Sequence, residues 1–351
     1  MHISRITIEN FRNFYDFDVS IAGNIVIVGE NRVGKTNLIY ALRLLLDATL
    51  PESARHLSLA DFNDSLGPPE KGDYIAISVY IQGFEHNQNL LAVLTDYRVN
   101  DDPTTAKLTY EFRPKESLEG DPTSPEDYEF VCYGGEDDTR RFGYELRRRI
   151  CMDLLPALRD AEGDLANWRR SPLRPLLENV FKGIKPQDLE AIKTSISNAT
   201  NGLTKFGSVE ALQSDLSNEY LEMSGLAQSI DLSLGIGPTD MARIYRSILL
   251  LLDGGRRTIS DASLGSANIV FLVLQLLNIK RQIEENKRDH TVLAIEEPEA
   301  HLHPHLQRSV YRHLFKNWAY EDGSTSVILT THSPHLASIA PLNSLVLLKK
   351  T

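Results

Sequence analysis

IVIVGENRVGKTNLIYALRLLL, residues 25–46, is the stretch on which the reading of this chain turns. Ile25 to Val28 is a short apolar run with no polar interruption, the pattern of a strand buried on both faces. Gly29 follows at once, and Gly29-Glu30-Asn31-Arg32-Val33-Gly34-Lys35-Thr36 satisfies G-x-x-x-x-G-K-[ST]. From Thr36 the pattern turns helical, with Leu38, Leu42, Leu45 and Leu46 on one face. Strand, glycine loop and helix in that order predict a phosphate cradle. The glycines let backbone N–H groups curl around an anion, and the helix N-terminus adds partial positive charge. Lys35 is placed to reach outer phosphates and the Thr36 hydroxyl to ligate Mg²⁺. A chance match in a Gly-containing turn would need no such flanking elements.

Upstream, Ile3, Ile6, Ile8 and Phe11 alternate roughly and predict an edge strand ending in FRNF at 11–14. Tyr15, Phe17 and Val19 predict a second strand. Downstream, DYIAISVYIQGF at 73–84 alternates and reads as a strand, KLTYEF at 107–112 is expected to pair nearby, and RPKESLEGDPTSPED at 113–127, with three prolines, reads as a surface loop. From about 136 to 230 the pattern is helical. RRFGYELRRRICMDLLPALRDAEGDL has helical spacing that Pro156 should kink. Three further helices follow, with Ser171, Lys185 and Ser208 near their starts. After about 231 the α/β character returns: a strongly apolar helix at 263–283, the strand TVLAI, a helix from His303, the strand SVILTTH and a last strand in SLVLLKK. The expected organisation is a core in two parts, 1–135 and 231–351, interrupted by a helical lobe at 136–230.

Other motifs cluster in the second core segment. Val292 to Ile295 is an apolar strand ending in Glu296 and Glu297. In phosphate-loop ATPases the first such acid lies near the metal, and the second is placed to orient or deprotonate water. An acidic turn capping the next helix would look the same in isolation. His332, after SVILT, stands where a strand-end imidazole can touch a γ-phosphate, although core histidines occupy such positions too. Ser263-Leu264-Gly265-Ser266-Ala267-Asn268 opens the apolar helix as an anion site or as ordinary capping. His301, His303 and His305 alternate just after the acids, but Pro298 and Pro304 break the regular structure a metal face would need, so a loop is expected.

Four motifs in this order resemble an ABC-type ATPase head of the SMC and DNA-repair kind. MHISRITIENFRNF, GENRVGKTNLIYALRLLLD, LPALRDAEGDLANWRRSPLRPLL, IEEPEAHLHPHLQ and TTHSPH together resemble the ATPase half of the OLD (overcoming lysogenization defect) nucleases. The resemblance implies an α/β ATPase core of mixed sheets plus an inserted all-helical dimerisation lobe, working as a homodimer. It implies ATP and Mg²⁺ at Lys35 and Thr36, with Asn31, Gly34 and Asn37 around them. Glu296 would support the metal, and Glu297, His332 and Lys35 would support slow hydrolysis. Ser263 and Gly265 would complete the site across the dimer, despite Ser266-Ala267-Asn268 where the stricter signature has Gly and Gln. Arg12 and Asn13 would sit near the nucleotide, and either Gln82 or Asp61 would serve as the glutamine-loop residue.

OLD nucleases continue into a Toprim domain that holds divalent metal through a glutamate and a D-x-D cluster. The only D-x-D here, Asp16-Phe17-Asp18, falls on an alternating strand and reads as a solvated face. No nuclease activity is therefore expected from these 351 residues. The chain would be an excised ATPase region or would work with a Toprim domain or separate effector subunit, controlling a DNA nuclease in phage defence. An ATP-binding scaffold with little turnover is the rival from another class. An SMC-like DNA-repair head is a further one, disfavoured because the insert lacks sustained heptads.

With 37 Lys+Arg and 48 Asp+Glu the net charge is −11, which argues against nucleic-acid binding over the whole surface. Arg140, Arg141, Arg147, Arg148, Arg149, Arg159, Arg169, Arg170 and Arg174 could still form a basic stripe for DNA phosphates, or pair with Glu136, Asp137 and Asp138. Two cysteines are too few for a disulfide framework. No apolar stretch suits a membrane helix and no secretory pattern opens the chain, so the expected compartment is the cytoplasm.

Overall fold

Alternation along β1 (His2–Phe11), interrupted by a register shift between Ile3 and Arg5, and along β4 (Ile75–Gln82) and β6 (Asp102–Pro114) builds one sheet with a single apolar face. Ile3, Ile6, Ile8 and Phe11, then Ile75, Ile77, Val79 and Ile81, then Ala106, Leu108, Tyr110 and Phe112 are all buried on it. The computed structural model of the chain describes every residue except 22, 69, 158–159, 225–231, 235–240, 301, 315–322 and 350–351, with backbone alone for 241–243 and 335. It divides into two compact units, residues 1–160 with 263–351, and residues 161–262.

The first sheet of the larger unit is antiparallel throughout. Its order is β2 (Phe14–Ser20), β1, β4, β6, β5 (Arg98–Val99), with β7 (Tyr128–Gly134) also on β6. β1 was expected at an edge, yet it pairs with β2 on one side and β4 on the other. Alternation reports that one face is buried; it carries no information about neighbours in the hydrogen-bonding direction.

The second sheet is wholly parallel: β13 (Leu345–Leu347), β3 (Ile25–Val28), β12 (Thr325–Thr331), β11 (His290–Glu296) and β8 (Ile150–Leu155). Its central strands are apolar on both faces, with Val292 to Ile295 fully buried. β8 corrects the sequence reading. The helix α4 (Tyr144–Arg149) stops at Arg149, and Ile150–Leu155 leaves helical geometry to pair with β11. Cys151, Met152 and Leu155 gain burial there that a surface helix would not supply.

Helix α1 (Lys35–Leu46) packs against β4 and β6 of one sheet and β8 of the other. One apolar face was expected; Leu38, Ile39, Ala41, Leu42, Leu44, Leu45 and Leu46 are in fact all buried, because the helix is covered from two sides. Its C-terminal carbonyls are held by two buried guanidiniums. Arg55, in the short helix α2 (Glu52–Arg55), donates to Leu44 O at 3.1 Å and to the carbonyls of Asp47 and Leu50. Arg147 donates to Leu45 O at 3.1 Å and to Cys132 Sγ at 2.9 Å. Cations at this end of a helix also complement its dipole. α3 (Gln88–Leu94), α10 (Leu264–Glu284), α11 (Pro304–His313) and α12 (Pro334–Ala337) complete this unit.

The smaller unit holds α5 (Ala161–Ala166), α6 (Leu173–Lys182), α7 (Pro186–Asn201), α8 (Gly207–Ser224) and α9 (Met241–Arg246). It also carries a two-stranded ribbon, β9 (Leu251–Leu252) and β10 (Arg257–Thr258), so it is not purely helical. α6 packs on α9, and Tyr245 meets Phe181 and Trp168 at ring-centroid distances of 5.3 and 5.9 Å. No helix among the described residues is long and apolar enough to cross a membrane.

Candidate functional site

Register in the parallel sheet brings the sequence motifs to one edge. Thr331 pairs opposite Val28, and Glu296 opposite Thr330. The carboxyl ends of the three adjacent strands β3, β12 and β11 therefore deliver Gly29, His332 and Glu296-Glu297 side by side. That edge is where open α/β sheets take their ligands.

The loop after β3 turns into α1 through Gly34, at φ 104°. A side chain on Gly34 would be strained by that φ, and its Cβ would lie 2.2 Å from Asn13 Nδ2. Lys35, although cationic, is 7% exposed, and its Nζ donates to Gly29 O at 2.7 Å and Glu30 O at 3.0 Å. Asn31 and Thr36 are exposed on the loop and at the helix start. These glycines, N–H donors and the lysine fit a chain of phosphates. The Thr36 hydroxyl and Glu296 carboxylate are hard oxygen donors of the kind that suits Mg²⁺.

The FRNF turn closes onto the same loop. Asn13 Nδ2 donates to Val33 O at 3.2 Å, and Asn37 Nδ2 donates to Asn13 Oδ1 at 2.6 Å. Arg12 lies over the rings of Phe11 and Tyr40, donates to Asn37 Oδ1 at 2.9 Å and pairs with Asp61 at 2.9 Å. Asp61 is thus joined to the phosphate loop through Arg12 and Asn37. Gln82 pairs opposite His2, at the far end of β1 from FRNF, and bonds Thr105 instead. Of the two glutamine-loop candidates, Asp61 alone belongs to this end of the molecule. Asn63, which the sequence reading passed over, donates to Arg12 O at 2.6 Å and fixes the turn.

On the other side, Glu297 sits at φ 42°, a left-handed conformation for a non-glycine residue. Its N–H bonds Thr330 O at 2.9 Å, tying the acidic turn to β12. His332 Nδ1 lies 3.3 Å from Glu297 Oε1 and 3.7 Å from Glu299 Oε1. Glu299, to which the sequence motif assigns no role, is 8% exposed and accepts from Thr331 Oγ1 at 2.5 Å and from His332 N at 3.1 Å. Burial and the Glu299 charge push the neighbouring Tyr311 hydroxyl far up, so that it stays protonated. An acid two residues past a strand-end pair was the available signal.

Ser263 caps α10 by accepting from Ser266 N at 3.2 Å, and Gly265 is buried in its first turn. Among the described residues no hydrogen bond joins either to Gly29–Thr36. His303 caps α11 through His305 N, His301 lies outside the described residues, and no group of three metal-ligating side chains is present among those described. Asp18 pairs with Arg5 on an exposed strand face, and that hydrogen bond holds its carboxyl below the usual range.

Part of the arginine run is engaged within the chain, while Arg140, Arg141 and Arg169 are exposed. Arg147 is 3% exposed inside the core, Arg149 pairs with Asp289, Arg148 with Glu145, Arg170 with Asp164 and Arg174 with Glu178. Two of the three expected partners are engaged elsewhere, Asp138 with Arg113 and Glu136 with Asn100, while hydrogen bonds from Thr139 and the charge of Arg140 hold the Asp137 carboxyl below the usual range. Arg159 lies outside the described residues. Charge counted along a sequence does not reveal which side chains a helix turns inward.

Comparison with known proteins adds to this geometry. The family described as AAA ATPase domain matches residues 1–220 and 150–337. An OLD nuclease of Thermus scotoductus is 25% identical over 350 residues, covering 99% of this chain and 62% of the relative. The Old nuclease of Escherichia phage P2 is 23% identical over 355 residues, 96% of this chain and 57% of the relative. The chain thus spans about three-fifths of the length of these relatives. A solved SMC head domain from Thermotoga maritima aligns with a TM-score of 0.46 at 12% identity, over 99% of this chain and 94% of that one.

Proposed function

This chain belongs to the AAA ATPase domain family, and on that premise we propose that it binds Mg-ATP at the edge formed by β3, β12 and β11 and hydrolyses it slowly. The observation that carries the reading is the Glu297–His332 pair, 3.3 Å apart, one strand away from the phosphate loop.

In this reading Lys35 exchanges the carbonyls of Gly29 and Glu30 for β- and γ-phosphate oxygens, and the α1 N-terminus supplies N–H groups to the same charge. Bound Mg²⁺, held by Thr36 and Glu296, would withdraw electron density from the transferred phosphoryl group. Glu297 orients a water for in-line attack on the γ-phosphorus and accepts its proton as the bond to the β,γ-bridging oxygen breaks and ADP leaves. His332 donates to the γ-phosphate from the opposite strand. Asn13, Arg12 and Asn37 hold the loop in shape around the nucleotide. Ser263 and Gly265, at the capped start of α10, serve the nucleotide of a second copy.

We propose further that the working form is a homodimer built through the smaller unit. Ile192 on α7 and Leu212 and Leu216 on α8 are exposed by 44%, 52% and 44%, an apolar face that a second copy would cover. We propose also that the chain controls a DNA nuclease, carried by a Toprim domain or a separate subunit, in defence against phage; the relatives named nucleases support the nuclease part of this role.

The test is Mg-ATP hydrolysis by the purified chain beside Lys35→Ala and Glu297→Gln. Turnover should fall to background in both, with ATP binding lost in Lys35→Ala and kept in Glu297→Gln. Wild-type turnover at background, with binding intact, would replace the enzyme by a nucleotide-gated scaffold.

A further inference from the structure

Resting on the nucleotide-binding part of the reading above, though on no turnover, we propose that Arg32 contacts the phosphates of the nucleotide held by its own loop. Its charge there raises the preference of the site for a triphosphate over a diphosphate.

Six non-glycine residues among those described sit at positive φ. Three are Asn10, Asp253 and Asn286, types whose short polar side chains tolerate the left-handed region. The others are Arg12, Arg32 and Glu297, at φ 50°, 67° and 42°. All three belong to the nucleotide edge. Arg12 bonds Asn37 and Asp61 beside the phosphate loop, and Glu297 faces His332. Arg32 lies in the middle of the loop itself, between Asn31 and Val33. A long side chain in this region is disfavoured, and it persists where the surroundings impose the backbone and the side chain serves the site.

The backbone at Arg32 is imposed from both sides. Before it, Gly29 O and Glu30 O accept from Lys35 Nζ at 2.7 and 3.0 Å. Gly29 is packed so closely that a Cβ there would lie 2.7 Å from Val33 Cγ2 and 2.8 Å from Leu348 O. After it, Val33 O accepts from Asn13 Nδ2 at 3.2 Å, and Gly34 turns at φ 104°. The loop thus takes positive φ at 32 and again at 34. At 34 the chain uses glycine. At 32 glycine or asparagine would meet the same need with less strain, yet the residue is arginine.

That arginine does no work in the nucleotide-free fold. It is exposed, and among the described residues its guanidinium makes no ion pair or hydrogen bond, even with Glu30 two residues back. What it supplies is a second cation on the loop, at most about 11 Å of chain from Lys35. A guanidinium suits phosphate, since it presents paired N–H donors to two oxygens of one group. Its Coulomb gain grows with the charge of the ligand, so a triphosphate profits more than a diphosphate.

The test measures binding of AMP-PNP and of ADP, each with Mg²⁺, to wild type, Arg32→Asn, Arg32→Lys and Lys35→Ala by calorimetry. The thermal midpoint of each nucleotide-free chain is recorded beside it. Arg32→Asn eases the backbone and removes the charge. It should weaken AMP-PNP about tenfold or more and ADP less than about threefold, with the midpoint unchanged or raised. Arg32→Lys, which keeps the charge without the fork, should fall between wild type and Arg32→Asn. AMP-PNP affinity within about twofold of wild type in Arg32→Asn overturns the proposal. Equal losses for the two nucleotides overturn it as well. So does a lowered midpoint or a failure to fold, because the arginine would then be holding the loop and not the ligand. A loss that appears only as protein concentration is raised would put the guanidinium on a second copy's nucleotide and likewise overturn it. Lys35→Ala separates the two readings: binding lost there but intact in Arg32→Asn sinks the role of Arg32 alone, whereas a wild-type chain that takes neither nucleotide sinks both.

Discussion

At the scale of single residues, two arginines adjacent in sequence have opposite fates. Arg147 is buried, bonded to Leu45 O and Cys132 Sγ at the end of the phosphate-loop helix. Arg148 is exposed beside Glu145. Arg147→Ala should cost about 3 kcal/mol, because the Leu45 carbonyl loses its charged donor inside the core. Arg148→Ala should cost less than about 0.5 kcal/mol, as exposed pairs do. Urea denaturation of both separates them, and equal midpoints would remove Arg147 from its role as a helix cap. A triple Arg147–Arg149 substitution would therefore report on folding before it reported on DNA. Glu297 makes the complementary point. Its positive φ is held by Thr330 O, so the acid is placed by β12 as much as by its own strand.

At the scale of elements, what could be read depended on whether the determining residues are contiguous. The phosphate loop, its strand and its helix lie within 22 consecutive residues, 25–46, and every part shows locally. The strands β11 and β12 show as apolar runs for the same reason. β8 did not, because Arg147-Arg148-Arg149 continues a helical rhythm into Ile150, and only β11, some 140 residues away, supplies the ladder that makes it a strand. The partners of β1 and the inward turn of Glu299 were hidden likewise by long-range contacts. β8 carries its own test. Burial, with Asp153 adding, pushes the Cys151 thiol up to about 11 from an ordinary 9.0, and burial raises Cys132 on β7 as well. Both thiols should be neutral at pH 8 and slow toward a disulfide reagent in the folded protein, reacting fully once it is unfolded. Because the folded state binds these protons more tightly, their contribution to stability is complete below pH 9 and lost as pH climbs toward 11. A fast native reaction at pH 8 would mean that β8 is not paired as described.

At the scale of the whole molecule, the apolar face on α7 and α8 belongs to a unit distinct from the one that carries the nucleotide motifs. Leu212→Asp with Leu216→Asp should leave ATP binding within about twofold of wild type while halving the mass seen by light scattering, since a charge at a buried apolar contact is strongly unfavourable. An unchanged mass would place the dimer contact elsewhere. The strand order β13-β3-β12 has a consequence for how the protein is made. β3 appears early, yet both of its neighbours are the last strands to be translated. At roughly 5–20 residues per second, the roughly 300 residues between β3 and β12 keep both edges of Ile25–Val28 unpaired for about 15–60 s. A ribosome that stalls within the smaller unit would release a nascent polypeptide with a bare, sticky apolar strand, a natural client for chaperones and proteases.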